Sequence, residues 1–486
     1  MVEHAVIVAG GGPTGMVLAA ELALAGIDVA ILERRPDAVL VESRAGGFHA
    51  RTIEVLDQRG VADRFLSEGQ TVQALTFGTA PLSISDFPTR HPYTLGLWQK
   101  HIERILAGWI SELPVRTLYG REVTGVSQDA DGVDVQLDGG ATMRARYLVG
   151  CDGGRSLVRR TAGIDFPGWE ATRSTLIAEV EVTEDFPAAP LFDERGAHGL
   201  HFLEDGRTAR VVTTERAIAS GAEATLEDLK ASLSAAFGTD FGVHAPTWIS
   251  RFTDATRQAA TYRAGRVLIA GDAAHVHYPA GGQGLSLGVQ DAVNLGWKLA
   301  QVVTGQSPDA LLDTYTAERH PVAAVVLRHT MAQTALQRRD DRVLALVDVV
   351  SELAAMDEPR RHLAGAMTGL DIRYELGEGH PLLGRRLPDL DLDTAGGAIR
   401  AYELLHGARP LLLNLGPQGS VAVGAWADRV QQVDASCAAE WELPVIGAVD
   451  APSSVLVRPD GYVAWVGTGG DVGLTDALTS WFGPAA

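Results

Sequence analysis

Three glycines near the start of the chain, Gly10, Gly12 and Gly15, stand in the spacing G-x-G-x-x-G. They lie between a short apolar run, residues 5–8 (AVIV), and a small-residue stretch from Thr14 to Leu24 that ends at Gly26. Such a run reads as a buried parallel strand, and the stretch after it as a helix. Each glycine then has a physical task. The first permits a tight turn, the second lets the backbone come close to a pyrophosphate, and the third lets the helix pack on the strand. Orphan N–H groups at the helix start, from Thr14 onward because Pro13 itself has none, point at the anion. The macrodipole there contributes about 0.3–1 kcal/mol. A second apolar run, 29–32 (VAIL), ends at Glu33, 18 residues beyond Gly15. An acid at that position accepts hydrogen bonds from ribose hydroxyls. The competing reading is a glycine-rich turn that only packs strand on helix. The fingerprint alone does not separate FAD from NAD.

Three further clusters bear on the cofactor. Cys151-Asp152-Gly153-Gly154-Arg155-Ser156 follows a buried strand at 146–151. Gly271-Asp272-Ala273-Ala274-His275 follows another, and leads to Pro279-Ala280-Gly281-Gly282-Gln283-Gly284. Gln290-Asp291-Ala292-Val293-Asn294-Leu295-Gly296-Trp297-Lys298-Leu299 comes next. In this order and spacing the set resembles the class A FAD-dependent aromatic hydroxylases. It is similar above all to actinobacterial hydroxylases of aromatic polyketides and to rifamycin monooxygenases, over nearly the whole chain.

The resemblance implies FAD, with NAD(P)H, expected to be NADPH, as a transient electron donor. It implies reduction of the flavin, addition of O2 at flavin C4a, and transfer of one oxygen atom to a polycyclic aromatic substrate. By the same resemblance, Thr14, Glu33 and Arg34 contact the adenosine and phosphate half, and Val123 offers its backbone to adenine. Arg44 follows the pyrophosphate or ribityl chain, Gln99 meets the ribityl or flavin region, and Asp152 serves both FAD and the nicotinamide donor. Asp272, at a strand end, is suited to accept a bond from a ribityl hydroxyl. The loop Pro279, Gly281, Gly282, Gln283, Gly284, with Leu285 and Ser286 behind it, is expected along the flavin edge. Its N–H groups and helix dipole stabilise negative charge at N1/C2=O. Two departures stand out: Ser286 where the family usually has Asn, and Trp98 where it often has Pro. No protein acid or base is assigned, and no metal site is read.

The elements that must position these residues are an α/β set. The 486 residues exceed one compact core. The expected fold is a glutathione-reductase-type FAD-binding Rossmann domain, an antiparallel-sheet substrate domain and a C-terminal thioredoxin-like domain. The boundaries are 1–174 for the first part of the FAD domain, with a substrate-lining insert at 71–98, and 175–257 for the substrate sheet. The second part of the FAD domain and a helical linker take 258–384, and the third domain 385–486. The segment 121–138 reads as a hairpin turning at Asp131-Gly132. A helix is expected over Val289–Val303, then helical stretches at 308–336 and 342–366. On the substrate sheet His201 and Phe202 point to opposite faces, and Phe77, Tyr93 and Trp98 are candidates to line an aromatic pocket.

Composition removes other classes. A formal net charge of −20 argues against a nucleic-acid partner. There is no apolar run long enough to span a membrane and no signal-peptide pattern, so a cytoplasmic protein is expected, a homodimer being one arrangement. Two cysteines, Cys151 and Cys437, make no disulfide framework, and the third domain lacks C-x-x-C. The leading expectation is hydroxylation of a polycyclic aromatic polyketide in antibiotic biosynthesis. Rifamycin-type inactivation, Baeyer–Villiger oxygenation and a flavin-binding protein without turnover are the alternatives.

Overall fold

The computed structural model describes residues 4–41, 43–203, 205–218, 223–338 and 340–485. Its centre is a parallel sheet in the order Val267–Ile269, Thr142–Gly150, His4–Ala9, Val29–Glu33, Val115–Tyr119. Val6, Ile7 and Val8 are fully buried, as a strand covered on both faces requires. The hairpin Val123–Gln128/Val133–Leu137 turns at 129–132 and joins the sheet through Thr142–Gly150.

Two helices cross close together over this sheet. Pro13–Leu24 begins directly after the glycines, with Pro in its first turn. Gly284–Thr304 packs along it, and glycine makes the approach possible. A Cβ at Gly288 would lie 2.4 Å from Thr14 Oγ1, and one at Gly296 would lie 2.5 Å from Glu21 Cβ. This helix starts five residues before the expected Val289, because tertiary contact outweighs the poor helix propensity of its glycines. The expected stretch at 342–366 is two helices, Asp341–Ala354 and Asp357–Thr368. Pro359 lacks an N–H and its ring would meet the carbonyl of residue 355, so it is accepted only in the first turn of a new helix.

A five-stranded antiparallel sheet runs Leu191–Phe192, Ala197–Phe202, Thr208–Thr214, Ser174–Glu181, His244–Thr253. The helix Leu226–Phe237 covers one face, opened by a capping box between Thr225 and Asp228. A six-stranded sheet, Gly397–Arg400, Asp391–Thr394, Gln431–Ser436, Leu411–Asn414, Ser454–Val457, Val463–Gly467, forms the C-terminal unit with helix Leu474–Phe482. Among the described residues no helix is long and apolar enough to cross a membrane.

Candidate active site

One continuous cavity of about 2790 Å³ runs from the glycine loop to the antiparallel sheet. At its first end Gly10 adopts φ +108°, with Cys151 O where a Cβ would be, and Gly15 sits against Gly10 O. Neither site admits a side chain. Gly12 differs: among the described residues no atom beyond its own chain neighbours lies within 4 Å of its Cβ position, which opens onto the cavity. The N–H groups of Thr14 and Gly15 have no backbone partner among the described residues.

Glu33 ends its strand with both oxygens engaged. Oε2 accepts from Gly11 N–H (2.7 Å) and Oε1 from Arg35 N–H (2.8 Å). The Arg35 guanidinium donates to Glu103 (2.7 Å) and to Gly11 O (3.0 Å). Burial opposes the Arg35 charge, but Glu103 and Glu33 outweigh it and its pKa rises. Sequence reading missed both Arg35 and Glu103. The signal was available in Arg35 itself, two residues past the acid.

Arg34 and Val123 lie on the wall nearby. Gln99 Oε1 accepts from the N–H groups of Arg44 (3.2 Å) and Ala45 (3.1 Å), while its Nε2 donates to Glu103 (2.8 Å). Arg44 also lines the cavity and reaches the antiparallel sheet, donating to Ser250 Oγ at 2.7 Å. Asp152 Oδ2 accepts from Leu157 and Val158 N–H (2.7 and 3.1 Å), and its Oδ1 is buried without a partner among the described residues.

Asp272 projects from the end of its strand, exposed to the cavity, with no hydrogen-bond partner among the described residues. The peptide before it is locked. Asp291, fully buried, accepts from Gly271 N–H (3.2 Å), His275 Nε2 (2.6 Å) and Arg319 Nε (2.8 Å). Next on the wall come His277, Tyr278, Pro279, Gly281, Gly282, Gly284 and Leu285. The N–H groups of Gly284 and Leu285, at the start of the long helix, are unpartnered among the described residues. His277 donates from Nδ1 to Tyr278 O (2.7 Å), since a carbonyl only accepts, and its Nε2 is buried with no partner among the described residues. Burial pushes the His277 pKa down, so the ring is neutral with its lone pair on Nε2.

Several expected site residues lie elsewhere. Ser286 is 3% exposed and off the wall; its Oγ accepts from His49 N–H at 3.1 Å. Gln283 is likewise buried behind the loop. Phe77 packs edge-to-face on His329 (5.9 Å) in a separate apolar cluster beneath the Ala74–Phe77/Ala80–Ser83 hairpin. The Tyr93 hydroxyl is hydrogen-bonded to His91 Nδ1 (2.6 Å), and His91 Nε2 in turn donates to Asp57 (2.8 Å). Trp98 stacks on His201 (5.9 Å between centroids) with the Arg210 guanidinium on its ring at 4.0 Å. Phe202 lies on Phe186. None of these five lines the cavity. Its wall on the sheet side is instead Ile177, Val212, and the run Trp248–Thr253, with Tyr278 against Phe252 at 5.7 Å. This run lies in the 175–257 segment expected as the substrate sheet, but none of its side chains was singled out from sequence.

Residues 3–330 match the FAD binding domain family, and residues 380–485 match the aromatic-ring hydroxylase C-terminal family. The chain belongs to the FAD-dependent aromatic-ring hydroxylases. It is an FAD-dependent monooxygenase with NAD(P)H as electron donor. Members similar to it include the 12-dehydrotetracycline 5-monooxygenase/anhydrotetracycline 6-monooxygenase of Streptomyces rimosus, 45% identical with 100% of both chains covered. A rifampicin monooxygenase of Streptomyces venezuelae is also 45% identical, with 99% of each chain covered. Among solved structures, an aromatic hydroxylase from angucycline biosynthesis superposes with a TM-score of 0.92 at 43% identity, covering 99% of this chain and 100% of the other.

The wall fits that cofactor. The open side of Gly12, the free N–H groups at Thr14 and Gly15, the unpartnered Asp272 carboxylate and the free N–H groups at Gly284 and Leu285 succeed one another along one cavity. Anion, hydroxyls and an electron-rich ring edge are the partners those groups call for.

Proposed function

We propose that this monooxygenase hydroxylates a polycyclic aromatic polyketide in antibiotic biosynthesis, in the cytoplasm, with NADPH as donor and O2 as co-substrate. The size and lining of the cavity carry this reading. At about 2790 Å³ it far exceeds the ~300–1,000 Å³ of an ordinary small-molecule site. It therefore has room for a dinucleotide and a large flat molecule together. The full-length likeness to tetracycline and angucycline enzymes supports the same substrate class.

In this reading Gly10, Gly12, Pro13, Thr14 and Gly15 cradle the pyrophosphate, and Glu33, Arg34 and Val123 hold the adenosine end. Arg44, Gln99, Asp152 and Asp272 hold the central chain. Pro279, Gly281, Gly282, Gly284 and Leu285 flank the flavin edge. Bound flavin supplies the redox and oxygen chemistry. The protein orients it through the N–H groups of the long helix and shields the reacting centre with Ile177, Val212, Trp248, Ile249 and Phe252. We assign residues 1–174 and 258–384 to a glutathione-reductase-type FAD domain with a linker, 175–257 to the substrate sheet, and 385–486 to a thioredoxin-like unit without redox cysteines. Cys437 is the lone cysteine of that unit.

The test is a panel of polycyclic quinones scored for stimulated NADPH oxidation and for one labelled oxygen from O2. A panel with neither response sinks the proposal. Equal identity to a rifampicin monooxygenase keeps one second reading, antibiotic inactivation. Expression in a rifamycin-sensitive host, scored for resistance, separates the two.

A further inference from the structure

The flavin-edge loop is unusual in its backbone. Gly281 and Gly282 both take left-handed values, φ +71° and +64°, immediately before the long helix. Two such residues in succession leave the loop with little regular structure of its own. Within it, Gly282 N–H bonds Pro279 O and Ala280 N–H bonds Tyr278 O. Those two bonds fix the near half of the loop and leave the half that enters the helix to be held from outside.

One residue holds it at both ends. His49 is the N-cap of helix Ala50–Asp57 and is 6% exposed. Its ring Nε2 lies 2.7 Å from Gly281 O, and because that carbonyl only accepts, Nε2 carries the hydrogen. Its main-chain N–H donates to Ser286 Oγ at 3.1 Å. The side chain thus grips the loop at Gly281, and the backbone grips the first turn of the helix. Thr52, one turn on, adds a long contact from its hydroxyl to Ser286 O. Burial pushes the His49 pKa down, which keeps the ring neutral and able to donate without placing a charge beside the loop. The Met367 and Gln333 side chains also approach Gly281: a Cβ there would lie 3.0 Å from Met367 Cε and 3.2 Å from Gln333 Oε1.

We infer that His49 is a positioning residue that fixes the Gly281–Ser286 segment so that the free N–H groups of Gly284 and Leu285 face the cavity. The inference rests on the proposed flavin geometry and names the residue that sets it. It also gives Ser286 a role unlike the one expected from sequence. The hydroxyl in place of the family's usual amide is the acceptor for the second arm of the clamp, not a direct ligand.

The test uses FAD-loaded protein and reads the flavin without turnover. Sulfite affinity of the oxidised flavin rises with positive potential at its N1/C2=O edge, and the visible spectrum reports the same surroundings. His49→Asn shortens the side chain so that it no longer reaches Gly281 O, whereas His49→Gln keeps a donor at that distance. Sulfite affinity is expected to fall about ten-fold in His49→Asn and in His49→Ala, with a shifted spectrum, and to return within about two-fold of wild type in His49→Gln. Ser286→Ala, which removes the other arm, is expected to fall about three-fold. Unchanged sulfite affinity in His49→Asn overturns the inference, as does a Gln variant no better than Asn. Should His49→Ala fail to fold, the Gln–Asn comparison still decides. Wild-type protein that binds no FAD would instead sink the cofactor geometry itself.

Discussion

Glu318→Gln should destabilise the protein by unbalancing a fully buried charge cluster that joins the C-terminal unit to the FAD domain. Glu318 stands on helix Asp313–Leu336 and accepts from Arg458 Nη1 (2.6 Å) and Nη2 (2.8 Å), Lys298 Nζ (2.9 Å) and Asn294 Nδ2 (2.6 Å). Asp460 supplies the second carboxylate, bonded to Arg458 Nε at 3.1 Å. Arg458 and Lys298 are both 0% exposed. The native cluster holds two cations against two anions, so the variant leaves one buried cation uncompensated. Breaking a buried pair in this way costs about 3–5 kcal/mol, which at ~2.1 cal/mol/K of unfolding entropy per residue lowers Tm of a 486-residue chain by about 3–5 °C. The pH dependence sharpens the test. Burial lowers the Lys298 pKa to about 8 even with Glu318 drawing it up, so without that carboxylate it falls further. The folded variant then sheds the proton while the unfolded chain keeps it, and stability rises with pH wherever the unfolded state binds more protons. The deficit against wild type should therefore be smaller at pH 8 than at pH 6. Adding Lys298→Met restores charge balance and should recover at least half of the loss. A Tm within about 2 °C of wild type at both pH values would refute the reasoning.

Gly12→Val should fold with near-wild-type stability yet lose FAD, measured by flavin content after purification, whereas Gly15→Val should lose stability first, because its Cβ would lie 2.0 Å from Gly10 O. Asp272→Ala should weaken FAD binding by about ten-fold, the worth of a charged hydrogen bond of ~1.5 kcal/mol, with little change in Tm; titration with flavin fluorescence reads it. Phe252→Ala should raise KM for a polycyclic quinone, while Phe77→Ala, buried in a separate cluster, should cost about 3–5 kcal/mol of stability and leave KM alone; steady-state kinetics beside thermal melts distinguish them. Acid should weaken the molecule through Glu318, whose pKa burial would raise but Arg458 and Lys298 hold at about 2. A carboxylate lowered on folding stabilises above its ordinary value of about 4.5 and loses that contribution as pH falls toward 2, which chemical denaturation at pH 7 and pH 4 would show as a lower midpoint in acid.

Much of the fold was legible because it depends on short-range patterns. The apolar runs at 5–8 and 29–32 are adjacent parallel strands, Val6 opposite Val29, and the turn at Asp131-Gly132 closes its hairpin. The errors came where distant contacts decide. The Gly284–Thr304 helix begins in residues of poor helix propensity, and only its close approach to Thr14 and Glu21 accounts for the glycines. The hairpin Asp391–Thr394/Gly397–Arg400 carries a half-exposed pattern that offers no clear alternation, and it was not anticipated.

The candidate site divides along the same line. Backbone-defined parts were readable, since a glycine needed for close approach announces itself in spacing: a Cβ at Gly10 or Gly15 would meet backbone atoms, and the Cβ position of Gly12 is open. Side-chain parts were not, because an aromatic residue is equally at home in a core or a ligand wall. Phe77, Tyr93, Trp98, His201 and Phe202 have the right chemistry for an aromatic pocket, yet each already has a ring or hydroxyl partner within the protein. The residues that face the cavity are distinguished by the reverse condition. Asp272, His277 Nε2 and the N–H groups of Gly284 and Leu285 are polar groups with no hydrogen-bond partner among the described residues. Of these His277 Nε2 is the buried one, and leaving such a group unpaired costs about 1–3 kcal/mol. Polar groups left open along one cavity are available to a ligand that pairs them, whereas the Ser286 hydroxyl already accepts from His49 N–H and is off that wall.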